Sequence, residues 1–373
     1  MRRSGIRDVF DAAHALPEAI HLEVGEPSFP TPPHIVDAAT RAATAGQTKY
    51  TANAGVPELR HALAERVTRH RFEADVDNVV VTTGGVGAIY SALLAVARPG
   101  DEVMIGDPGW PNYQMICDLQ GLMSCHYPLA VDSHFQPDVA HLEGLVSRKT
   151  RVLLINTPCN PTGSVFGAEV LGELYEFARR HDLWIISDEV YDEMTFGVPH
   201  LSIGANDPDE RVITVFSFSK THAMTGWRVG YAVAAKSVAE LIARVQEAIT
   251  SCANAPAQAA ALAAVVGPQD HVELMRSAYQ ERRDGVLEIL GEFGVPAMRP
   301  DGAFYIWIDI SGANIDDLSF AKALLTDSSV AVVPGTTFGP DSGSFVRISL
   351  ATAPDHLYEG VSRIGRAYNR YLG

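Results

Sequence analysis

Short β-branched and aliphatic runs recur through the first part of this chain, each followed by a stretch long enough for a helix. They lie at 79–82, 102–105, 151–156, 183–187, 212–216 and 229–234. Several are apolar at nearly every position, as strands buried on both faces are. Strands alternating with helices indicate an α/β fold with a mostly parallel sheet covered on both sides. This block spans 35–255. Beyond it, 256–290 reads as helical, and 303–308, 330–333 and 345–350 read as strands of a smaller layer. The segment before Gly25 is too short to fold alone and is expected to pack on that C-terminal part. A chain of 373 residues exceeds one compact core. The expected division is a large domain at 35–255 and a small one made of 1–34 with 256–373.

In an open α/β sheet, ligands gather beyond the carboxyl ends of the strands. The fifth run leads into Ser217-Phe218-Ser219-Lys220, and Arg228 follows eight positions after the lysine. An apolar approach and small hydroxyl neighbours explain a solvated surface charge poorly. They suit an amine that forms an imine with an aldehyde, because burial and a nearby cation lower its pKa and expose the neutral nucleophile. Arg228 can supply that cation and can also hold a phosphate.

The other run ends carry residues that suit one phosphorylated aromatic aldehyde. Thr83-Gly84-Gly85-Val86 opens an apolar helix, where free backbone N–H groups attract an anion; a tight strand-to-helix turn is the alternative. Trp110, in a Pro/Gly-rich loop, can stack on a flat ring or simply pack. Asn160 stands in an Asn-Pro turn that can aim its amide at a phenolate oxygen. Asp188 closes an apolar run, and a carboxylate there needs a cation or donors. A protonated pyridine nitrogen would serve; a salt bridge or a helix cap is the alternative. Tyr191 can reach the oxygen of the ring hydroxyl. Arg347 is the only charge in the run 345–350 and suits bidentate capture of a carboxylate, or else an internal pair with Asp309 or Asp316. Phe10, His14 and Tyr113 line a pocket or only pack.

The formal net charge of −16 argues against nucleic acid and anionic membranes as partners, since both need basic surface. The four cysteines form no C-x-x-C pair, so neither a disulfide framework nor a metal site is implied. The first residues lack the apolar core of a signal peptide, and a cytoplasmic location is expected.

Together these residues resemble the class I (class I/II) aminotransferases, fold type I enzymes that use pyridoxal 5′-phosphate (PLP), of the aspartate and aromatic kind. The resemblance rests on the stretch from Ser217 to Gly230, on Asn160-Pro161-Thr162-Gly163, on Asp188-Glu189-Val190-Tyr191, on Lys49-Tyr50-Thr51-Ala52-Asn53-Ala54-Gly55, and on Val24-Gly25-Glu26-Pro27. It implies a seven-stranded large-domain sheet and PLP held as a Schiff base on Lys220. It also implies an L-amino acid and a 2-oxo acid, commonly 2-oxoglutarate, as substrates in ping-pong order. Tyr50 would reach the phosphate of a partner subunit's cofactor in a homodimer. Gly25 would leave room for the substrate carboxylate and offer its N–H. Ser217, Ser219 and Arg228 would complete a phosphate cup with the amides around Gly85 and Val86. Val86 departs from relatives with a hydroxyl or lysine there, so only its backbone can contribute. Two rivals stay open. One is another enzyme of the same fold, such as a C–S β-lyase, a decarboxylase or a specialised cyclase. The other is a non-catalytic PLP-fold sensor, which would need a basic DNA-binding segment upstream.

Overall fold

The computed structural model describes residues 5–70 and 72–372. Seven strands form the large sheet: β1 (Val79–Thr82), β2 (Glu102–Asp107), β3 (Met123–Pro128), β4 (Thr150–Asn156), β5 (Trp184–Asp188), β6 (Val212–Ser217) and β7 (Gly230–Val233). Their order is β1-β7-β6-β5-β4-β2-β3. β7 runs antiparallel to both of its neighbours, and all other pairs are parallel. The sheet is therefore mostly parallel, as expected. The connection from β6 to β7 holds only the short helix Phe218–Thr221. A parallel return needs a full crossover, so the chain turns straight back.

β3 is the strand that the apolar runs do not reveal. It lies at the sheet edge, and only Tyr127 among its six residues is buried. An edge strand buried on one side has no reason to be apolar throughout. Strands covered on both faces do, and these include β1 at the opposite edge, all four of whose residues are buried. Val80, Val103, Leu154, Ile186 and Ile213 face one helical layer, while Val79, Val81, Phe216 and Val233 face the other. That alternation is the two-residue period of a strand read on both faces.

The smaller layer is an antiparallel sheet ordered Val333–Pro334, Phe345–Ser349, Tyr305–Asp309. Ile20–His21 pairs in parallel with Val330–Ala331. The run at 330–333 thus divides at Val332 between two sheets. The helical region after 255 is two helices, Ala255–Val266 and Asp270–Glu292, interrupted at Gly267 and Pro268. The first buries Ala257, Ala260, Ala261 and Ala264 against Val79, Val81 and Tyr231 of the large sheet. This helix, just beyond 255, thus packs with the large sheet. The second helix packs with the smaller layer around Phe304, Ile306 and Ile348.

The carboxyl ends of β1, β2, β4, β5 and β6 share one edge of the sheet. Thr82 and Ser217 there flank Gly230, the first residue of β7. From β2 the chain first steps outward to β3, then returns to β4 on the other side of β2. That reversal opens the crevice in which open α/β sheets bind ligands.

Candidate active site

A cavity of about 450 Å³ lies over this edge, roofed by residues of the smaller layer. It gathers Gly85, Val86, Trp110, Asn160, Asp188, Tyr191, Ser217, Ser219, Lys220 and Arg228 from the large sheet's side, with Gly25 and Arg347 opposite. Gly84 stands behind the Arg228 guanidinium. Tyr50 does not line the cavity; it is 88% exposed. Phe10 and His14 also lie outside, their rings tilted against each other at 4.7 Å, and Ile6 of the same helix reaches the cavity instead.

Lys220 follows β6 on the helix Phe218–Thr221, whose N-cap is Ser217. The Ser217 hydroxyl oxygen accepts from Ser219 N at 3.1 Å, which leaves its own O–H free to donate into the cavity. Lys220 Nζ donates to the Gly25 carbonyl at 2.6 Å. Burial pushes the amine down to about 8, helped by Arg347 and Arg228 and opposed by Glu26 and Asp188. The sequence named Arg228 as the cation; Arg347 acts ahead of it.

Asp188 ends β5. The Tyr113 hydroxyl donates to its Oδ2 at 2.6 Å and Val190 N to its Oδ1 at 3.3 Å. Burial pushes the carboxyl up to about 6, against the pull of these two donors. Among the described residues neither a salt bridge nor a helix cap holds it. Its neighbour Glu189 differs. Ser187, Ser202 and His200 all bond Glu189, at 2.9, 2.8 and 2.8 Å, inside the protein.

Arg347 is 1% exposed. Nη1 donates to Asn160 Oδ1 at 3.0 Å and Nη2 to the Glu23 carbonyl at 2.5 Å. The guanidinium also lies over the Tyr305 and Phe338 rings, at 4.3 and 4.9 Å. Neither Asp309 nor Asp316 pairs with it; they bond Ser311 N and Ser319 N instead. With its Oδ1 taken, Asn160 has its amide N–H groups left to offer a ligand. Asn156 holds the Asn160 backbone, its Oδ1 accepting from Asn160 N at 2.8 Å. The Tyr191 and Tyr305 hydroxyls meet at 2.8 Å.

The helix Gly84–Val96 points its N-terminus at the cavity, and Thr83 makes no side-chain cap. Its first N–H groups are therefore available to an anion. Gly84 has φ +73°, and a Cβ there would fall 2.3 Å from Arg228 Nη2. Glycine is thus what lets the guanidinium reach the helix start. At Gly25 a Cβ would fall 2.2 Å from the Tyr305 hydroxyl. The space at Gly25 admits Tyr305, in addition to any substrate group. Trp110 stands edge-on to the Tyr113 ring at 5.5 Å.

Glu26, Tyr113, Asn156, Thr225 and Tyr305 are polar cavity residues that sequence reasoning missed or set aside. Tyr113 had one usable signal, its place three residues after Trp110 at the end of β2. Tyr305 had none, because it reads as one more residue of a buried strand. Asn156 ends β4 and could have been flagged as a polar residue closing an apolar run.

Residues 17–364 match the family described as aminotransferase class I and II. The aspartate aminotransferase of Pyrococcus abyssi is 40% identical over 97% of this chain and 94% of its own length. Aromatic-amino-acid aminotransferase 2 of Thermococcus litoralis is 39% identical over 97% and 94%. The solved structure of aspartate aminotransferase from Thermus thermophilus with maleate has a TM-score of 0.94 at 37% identity, covering 98% of this chain and 97% of that one. With a likeness that spans nearly the full length of each protein, the chain belongs to the class I and II aminotransferases, fold type I enzymes that use pyridoxal 5′-phosphate.

Proposed function

We propose that this protein moves the amino group of an L-amino acid to a 2-oxo acid in two half-reactions, with the PLP aldehyde held on Lys220. The observation that carries this is the meeting, in one cavity, of a lysine lowered to about 8 with Asp188 and Arg347. The residues fit the cofactor. A cup of helix N-terminus, Ser217, Ser219 and Arg228 suits the phosphate. Asp188, which makes no ion pair among the described residues, suits a protonated ring nitrogen, and Asn160 and Tyr191 suit the ring's phenolate oxygen. When bound, PLP supplies the electron sink for the substrate's α-carbon.

Each residue then has one task. Lys220 offers a neutral amine to the aldehyde and, once released, takes up and returns the substrate's α-proton. Asp188 keeps a positive charge on the heterocycle. Arg347, held by Asn160 and the Glu23 carbonyl, binds and orients the substrate carboxylate. The relatives' names point to aspartate or an aromatic amino acid as donor; 2-oxoglutarate is the acceptor this reading expects. A homodimer completes the site in this reading, with the exposed Tyr50 reaching the partner's cofactor phosphate. Four free cysteines accord with a cytoplasmic location.

Borohydride reduction of the holoenzyme followed by peptide mapping tests the link, which is expected on Lys220. Label on another residue, or none, overturns the assignment. A donor panel with 2-oxoglutarate tests the reaction: glutamate is expected, whereas pyruvate and ammonia from cysteine-type substrates would make the protein a lyase.

A further inference from the structure

The helix that carries Lys220 has four residues, too few to hold its own orientation. His222 follows it as C-cap. The ring is 2% exposed and lies 5.6 Å from the Phe218 ring. Its Nδ1 meets Nε2 of His271 at 2.9 Å. His271 stands in the first turn of the helix Asp270–Glu292, which packs against Phe304 and the Tyr305 strand. Two imidazoles thus join the lysine's turn to the helix that supports the other side of the cavity. Neither ring lines the cavity itself.

A contact of this kind needs one N–H and one facing lone pair. The surroundings favour a neutral pair. His34 approaches from the helix Pro33–Thr44, its ring 5.9 Å from that of His271. Arg66 faces His222 from the helix Pro57–His70, and Asp270 is the opposing acid beside His271. Burial first, then Arg66 and the neighbouring imidazoles, push His222 well below its ordinary value. Burial and His34 lower His271. On its other side, the turn is held by Thr31, whose hydroxyl donates to the Ala223 carbonyl at 2.6 Å.

We propose that the His222–His271 hydrogen bond positions Lys220, setting the direction of its short helix and so the aim of Nζ into the cavity, an inference that rests on Lys220 carrying the cofactor. His222 and His271 are positioning residues; they touch neither substrate nor cofactor.

Three variants of the holoenzyme test this. His271→Leu removes the bond while keeping bulk. His271→Gln supplies an amide able to meet His222 Nδ1. His222→Phe keeps a ring against Phe218 without the nitrogen. His271→Leu is expected to lower kcat about three- to tenfold, the worth of one ordinary hydrogen bond. KM for the amino donor should stay put, and the pH midpoint of the lysine-bound cofactor's visible absorbance should move. His271→Gln should restore both, and the Leu/Phe double variant should be no worse than either single. Unchanged kcat and midpoint in His271→Leu overturn the proposal. So does an equal loss in His271→Gln, which assigns the effect to packing. If His222→Phe does not fold, the two His271 variants decide alone. A wild-type protein without lysine-linked absorbance would sink the cofactor assignment itself, and this inference with it; an intact band with unaltered kinetics sinks only the histidine pair.

Discussion

The two halves of the cavity are built in opposite ways. The half proposed for the cofactor comes from successive strand ends of one sheet: Gly84, Gly85 and Val86 after β1, Trp110 after β2, Asn160 after β4, Asp188 closing β5, and Lys220 after β6. The half proposed for the substrate carboxylate is assembled from Ile6, Gly25, Tyr305 and Arg347, which are remote in the chain. Strand ends inherit their spacing from the hydrogen-bonded ladder, so the first half is as rigid as the sheet. The second half depends on how the smaller layer seats on the larger one. Both halves handle charge alike. Asp188 and Arg347 are buried and Lys220 half-buried, and each bonds neutral partners within the protein: a tyrosine hydroxyl, a side-chain amide and a backbone carbonyl, respectively. Glu189, saturated by three protein donors, shows the other outcome one residue away from Asp188. A buried charge left with neutral partners keeps its attraction for a ligand.

This contrast predicts that damage to the cofactor half appears in kcat and damage to the substrate half in KM. Lys220→Ala should cost about 10⁴-fold in turnover and abolish the visible absorbance, because it removes both amine and acid–base group. Retention of both would break the scheme. Asp188→Ala should lower kcat by about 10²- to 10³-fold while cofactor retention, measured by dialysis, changes far less. Unaltered activity would dismiss the pyridinium partner. Arg347→Lys should raise KM for the amino donor by about 10-fold or more with a smaller change in kcat, since a lysine cannot reproduce a bidentate fork. A loss confined to kcat would erase the distinction between the halves.

The smallest effect is a pH dependence. Lys220 in the cofactor-free protein is lowered from 10.5 to about 8. Its amine is therefore protonated below that point and nucleophilic above it. The rate of PLP capture by apoenzyme should rise with pH and level off above about 8. Stopped-flow absorbance measures it, and a midpoint near the ordinary lysine value would show that the burial is not felt. The same shift makes the apoprotein gain stability as pH climbs from about 8 towards 10.5, because the unfolded chain binds the extra proton in that window.

Lys220, Asp188 and Asn160 were legible because each follows an apolar run at a short offset, and a strand end fixes where such a residue must stand. β3 was not, because a strand whose Ser124 and His126 are only half-buried carries no continuous apolar signal, unlike the fully buried β1 at the other edge. The reversed direction of β7 was not, because apolar pattern has no polarity along the chain. Arg347 was visible as a lone charge in a strand, yet two carboxylates were open as its partners. The fold instead supplied Asn160 and a backbone carbonyl, the latter from a residue with no side-chain signature for that task.

Residue order by itself determined the α/β layering and the chemical kinds of group at the strand ends, because period and offset are local properties. Only the tertiary structure decided that Lys220 sits near 8 and Asp188 near 6, and that Tyr113 and Tyr305 stand beside them. Burial is a sum over every segment that closes on a group, and no local stretch of chain contains that sum.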